Sequence, residues 1–145
     1  MALYGNTAII GYPNDDYIGE LSGSVYGFIR QEHGTWEEVH KITDADGGSG
    51  DHFAWIVAIF GDTDVIGAFF GDEEWVYDIE YGYVYTKIGR ECIKNEKIVP
   101  EDGKSSDMLW VSVSLLGSTT LFGAPPRTGK GNFCSANIID DLCVP

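Results

Sequence analysis

The chain has 145 residues, enough for one domain, and 43 % of them are hydrophobic, which excludes a disordered tract. Nine Lys and Arg against 23 Asp and Glu leave a net charge of −14, a field that repels phosphate backbones and anionic lipid. Nucleic acid is thereby excluded as a partner, and so is membrane insertion: the longest apolar run, Phe53 to Phe60, is far shorter than the ~20 residues of a membrane helix.

Nineteen glycines and 13 % aromatics point to many turns between short strands. The opening residues, Met1-Ala2-Leu3-Tyr4-Gly5-Asn6, lack the basic and apolar regions of a secretory signal. The cysteines, Cys92, Cys134 and Cys143, show no C-x-x-C spacing and read as free thiols, with Cys134–Cys143 the one pairing a turn would allow.

In chain order, the first segment is a hairpin, Met1 to Gly11, reading MALYGNTAIIG. It returns as VAIFGDTDVIG from Val57 to Gly67 and as VSLLGSTTLFG from Val113 to Gly123, each copy 56 residues after the last. Gly5, Gly61 and Gly117 coincide, as do Thr7, Thr63 and Thr119, and Gly11, Gly67 and Gly123. Lys41-Ile42 and Lys97-Ile98 keep the same spacing. A loop rich in aromatics and acids follows the first hairpin: Tyr12, Asn14, Asp15, Asp16 and Tyr17. The complete middle copy predicts four strands, about Phe53 to Phe60, Asp64 to Phe69, Gly82 to Ile88 and Ile93 to Val99. The first two are almost continuously apolar and should be buried on both faces, and the last two should lie further out. The equivalent loop of this copy carries Asp72, Glu73, Trp75, Tyr77 and Tyr81. No stretch has helical periodicity. Four graded strands per period predict an all-β fold of β-propeller blades, each with four antiparallel strands. Residues 1–145 then form a single domain with repeats at about 1–49, 50–105 and 106–145, a partial ring of two and a half to three blades.

The run Asp51-His52-Phe53-Ala54-Trp55 through Val65-Ile66-Gly67-Ala68-Phe69 resembles the FG-GAP repeat of integrin-α-like propellers. In that family Phe-Gly opens one strand and Gly-Ala-Pro closes the next. Here the first position reads Phe53-Ala54 and Leu109-Trp110. The second reads Gly11-Tyr12-Pro13, Gly67-Ala68-Phe69 and Gly123-Ala124-Pro125. Gly23-Ser24-Val25-Tyr26 and Gly82-Tyr83-Val84-Tyr85 look like the strand that comes next. The resemblance implies an extracellular or cell-surface binding scaffold. The calcium that such blades often hold does not carry over, because the three connections Gly-Asn-Thr, Gly-Asp-Thr and Gly-Ser-Thr are too short for five or six oxygen ligands.

No catalytic constellation emerges, and no cofactor or metal is expected. His33, His40 and His52 have no ligand spacing, and the acidic turn Asp44-Ala45-Asp46-Gly47 reads as a solvated connection between blades. Trp36, Trp55 and Trp110 read as core. Tyr12, Asn14, Asp15, Asp16, Tyr17, Asp72, Glu73, Trp75, Tyr77 and Tyr81 are the candidate ligand-binding residues, since rings stack on sugars while acids and amides take hydroxyls. The alternative is that these rings pack between blades. The expected function is a non-enzymatic binding or scaffolding module for carbohydrate or protein. The alternatives are a glycoside-hydrolase-like enzyme using loop carboxylates, or a fragment of a larger surface protein. Three hairpins per chain predict a homodimer that completes a six-bladed pseudo-ring, inside the usual range of about 4 to 8 blades.

Overall fold

A computed structural model describes residues 1–44, 47–68, 81–88, 91–98, 112–124 and 132–137. Eleven strands form three antiparallel sheets, and no helix occurs among the described residues. The first sheet runs β1 (Ala2–Tyr4), β2 (Thr7–Tyr12), β3 (Ser24–Arg30), β4 (Trp36–Ile42). The second runs β5 (Phe53–Phe60), β6 (Thr63–Ala68), β7 (Tyr81–Ile88), β8 (Glu91–Ile98). The third comprises β9 (Ser112–Leu116), β10 (Thr119–Ala124) and β11 (Asn132–Asn137). Each sheet is a meander of sequence neighbours, as in the blade of a propeller, and the three described sheets do not make up a closed ring.

The repeat is expressed residue by residue. Gly5, Gly61 and Gly117 each open a two-residue hairpin turn at φ 56°, 61° and 60°. Glycine reaches this left-handed region without penalty, and such turns match the twist of the strands they join. Ile10 faces Tyr26 across β2–β3, and Ile66 faces Tyr83 across β6–β7. Pairing therefore equates Tyr26 with Tyr83, not with Tyr85 as the motif alignment has it. The bulge repeats as well: β4 gains Val39 opposite the Gly27–Phe28 step, and β8 gains Asn95 opposite Val84–Tyr85.

The sheets stack face to face. Ile9, Val25 and Ile42 of the first pack on Phe53, Val57, Ile59, Ile66, Tyr83 and Tyr85 of the second. On its other face the second sheet packs Ala58, Val65 and Val84 against Leu115 of the third. Both faces of β5 and β6 are thus covered, which is why these strands are almost continuously apolar, with Asp64 the buried exception. β7 departs from the expected outward grading: Tyr83, Val84 and Tyr85 are all buried. The two tyrosine rings pack on Phe53, whose centroid lies 5.4 Å from that of Tyr83 and 6.4 Å from that of Tyr85, edge to face.

Trp36 and Trp55 are corrections to the expected core, at 44 % and 50 % exposed; Trp110 lies outside the described residues. Trp55 is turned outward by a bulge between Phe53 and Ile56, where β5 loses register with β6. Beside it Ala54 takes φ 71°, a left-handed value that favours glycine. Ala54 therefore carries backbone strain that a glycine would not. Ala54→Gly is expected to raise stability by about 0.5–1 kcal/mol, relief at φ 71° outweighing the added freedom of the unfolded chain. Urea unfolding checks it; an unchanged or lower midpoint argues against strain at this residue.

Candidate functional site

The loop between β2 and β3 gathers around Asp15. Its carboxylate Oδ2 accepts from the Ser24 hydroxyl, from the Tyr26 hydroxyl at 3.0 Å and from Lys41 Nζ at 2.8 Å. Its carbonyl accepts from the Gly23 N–H at 2.9 Å and the Ser22 hydroxyl at 3.0 Å. The Lys41 bond, followed by that of Ser24, holds the Asp15 carboxyl down to about 2, and the same pairing raises the lysine. The Lys41 ammonium also lies 3.9 Å from the centroid of Tyr17 and 4.9 Å from that of Tyr26. Asp16 Oδ1 accepts from the Leu21 N–H at 2.8 Å, which closes the loop.

Of the predicted ligand-binding residues, the structure brings Asp15 and Tyr17 together at Lys41. Asp15 is engaged by its own sheet and shapes the loop. Asn14, Tyr12 and Tyr17 are exposed, the two rings at 53 % and 70 %. Tyr81 belongs to the second sheet, under Lys97 Nζ at 3.7 Å from its centroid. Lys97 pairs with Tyr83 as Lys41 pairs with Tyr26, so the two aromatic–lysine groups are repeat counterparts rather than one site. Asp72, Glu73, Trp75 and Tyr77 lie outside the described residues.

Asp44 corrects the reading of the acidic turn as solvated. It is 2 % exposed and reaches from the connection after β4 into the second sheet. There its Oδ1 accepts from Lys94 Nζ at 2.9 Å, and it hydrogen-bonds the Tyr83 hydroxyl. Burial first, and the neighbouring Asp44 second, push the Tyr83 phenol far above its ordinary range. Asp44 does for Tyr83 across the junction what Asp15 does for Tyr26 within the first sheet.

A second group of polar side chains lies in the same seam. His40 of β4, Asp64 of β6 and Cys92 of β8 each place one ligand-type atom within 4.8 Å of the others. Both His40 ring nitrogens and Asp64 Oδ1 are buried without a hydrogen-bond partner. The imidazole lies across Gly27, where a Cβ would collide with the ring. A cavity of about 470 Å³ opens beside the cluster, with Tyr85, Glu91 and Lys94 also on its wall. Burial lowers His40, pushes Asp64 up to about 6 and pushes Cys92 up to about 11, with the Lys87 ammonium acting on all three.

Sequence spacing could not assemble these residues, which come from three strands of two sheets. One signal was available in the repeat itself: all three depart from their columns. Asp64 aligns with Ala8 and Thr120, Cys92 with Trp36, and His40 with Glu96. A carboxylate in a column of small, buried residues is the conspicuous one.

Residues 36–86 match the family model described as the FG-GAP repeat. This segment is an FG-GAP repeat. It spans the last strand of the first sheet and most of the first three strands of the second, so the repeat encloses the junction that holds Asp44, His40 and Asp64. Neither the curated proteins nor the solved structures gave a match.

Proposed function

We propose that this FG-GAP chain is a non-enzymatic binding or scaffolding module that self-associates through the outer faces of its arc. The carrying observation is a mismatch between equivalent positions. Ile59, Ile66 and Ala68 of the second sheet are 9 %, 0 % and 3 % exposed, covered by the first sheet. Their counterparts one period earlier, Leu3, Ile10 and Tyr12, are 58 %, 38 % and 53 % exposed. The first sheet thus presents a blade-packing face that is open among the described residues. Leu116 and Leu121, 74 % and 48 % exposed, mark the opposite end of the stack. A face built to take another blade best fits another blade. Two copies joined head to tail at both ends close a ring of six, and closed two-fold dimers are the commonest homo-oligomers.

Ring closure would cover Tyr12 and leave Asn14 and Tyr17 at the rim, where ring faces beside polar groups suit a carbohydrate or protein ligand. Light scattering after size exclusion is expected to give twice the mass of one chain. Ile10→Lys, placing a charge in the joined face, is expected to yield monomer with an unchanged far-ultraviolet spectrum. A monomeric parent protein at micromolar concentration would overturn the self-association reading.

A further inference from the structure

We propose that His40, Asp64 and Cys92 form a zinc-type transition-metal site in the seam between the first two sheets. The three side chains supply an imidazole nitrogen, a carboxylate oxygen and a sulfur, all within 4.8 Å of one another. This donor set selects a borderline-soft divalent cation: thiolate and imidazole suit zinc, whereas calcium and magnesium take oxygen ligands. Zinc holds such donor atoms at about 2.0–2.3 Å.

The second observation is the unmet polarity of the same groups. Asp64 is 2 % exposed with Oδ1 unpartnered, and His40 has no hydrogen bond at either ring nitrogen. Buried polar atoms are almost always paired, so three orphans at one point describe a place made for something that accepts lone pairs. A cation does so, and a hydrogen-bonded network would not leave both imidazole nitrogens empty. Gly27 is part of the fit, since any side chain there would displace the ring. The ligands' own charge matches the ion, against the nearby Lys87 ammonium. One carboxylate and one thiolate neutralise a divalent ion, and binding releases the Cys92 thiol proton to solvent. Three protein ligands leave a fourth position for water from the adjoining cavity, which Cys92 and His40 line.

All three ligands come from one chain, so the site does not depend on ring closure, and a monomer in light scattering leaves its test intact. Chelator-treated, reduced full-length protein is titrated with Zn²⁺ against a chromogenic indicator, and separately with Co²⁺ as a spectroscopic substitute. One equivalent of each is expected to bind, with a thiolate-to-cobalt absorption band in the near ultraviolet. Zn²⁺ in large excess over its dissociation constant is expected to raise the melting temperature by about 5 °C or more, while millimolar Ca²⁺ leaves it unchanged. Cys92→Ser is expected to abolish the band, and the Cys134→Ser/Cys143→Ser protein to keep it. Asp64→Asn is expected to weaken Zn²⁺ binding at least about tenfold with the far-ultraviolet spectrum unchanged. Absence of saturable uptake at micromolar protein, or a band that survives Cys92→Ser, would overturn the proposal. So would a thermal shift produced equally by Ca²⁺.

Discussion

Gly23→Ala is expected to cost about 3 kcal/mol or more, loosening the junction between the first two sheets. Gly23 sits at φ 83°, which alone penalises a side chain by about 1–2 kcal/mol. A Cβ there would also run into the Phe53 backbone, its carbonyl first. That obstacle cannot rotate away, because the strand is pinned on this side. Gly23 and Phe53 form a parallel bridge, and Phe53 N–H donates to the Ser22 carbonyl at 3.0 Å. His52 N–H donates to Leu21 and Gly50 N–H to Glu20, at 3.0 and 2.9 Å. The stretch from Glu20 to Gly23 therefore stitches the first sheet to the start of the second, and Phe53, 1 % exposed, anchors the core beneath it. Gly5→Ala is the control. Its φ is 56°, but a Cβ there meets nothing within 4 Å. Its loss should be confined to the backbone penalty, about 1 kcal/mol. Chemical denaturation of the two variants separates strain from collision, and equal losses would contradict the close approach.

Lys94→Met is expected to destabilise by about 3 kcal/mol at neutral pH. The Asp44 side chain is 3 % exposed and the Lys94 side chain 28 %. Removing the lysine strands a carboxylate in the seam with the Tyr83 hydroxyl still bound to it. A neutral hydroxyl donor does not offset burial of a full charge as the ammonium does. Asp44→Asn combined with Lys94→Met should recover part of the loss, because the pair then leaves no unpaired charge behind. The matching pair in the first sheet, Asp15 with Lys41, is more open, at 16 % and 24 %. Lys41→Met should accordingly cost less, about 1 kcal/mol. A Lys94→Met protein within about 0.5 kcal/mol of the parent would show that the junction is held by apolar contact alone.

The recurrence of Gly5, Gly61 and Gly117 and the two-sided apolar runs determined the blades, their strand order and their hairpins, because backbone angle and alternation are local demands that each residue states for itself. Val39 and Asn95 show how far this reached: even the bulges keep the period of the sequence. Which residues meet across the seam was decided by the stacking of one sheet on the next. Asp44 lies in what reads as a polar turn and is buried by the neighbouring sheet. Trp55, large and apolar, is put outside by the backbone twist at Ala54. His40, Asp64 and Cys92 are unrelated in spacing and meet only because face residues of β4, β6 and β8 converge when two sheets pack. Alternation says that a side chain points to a face, but only packing determines what that face encounters.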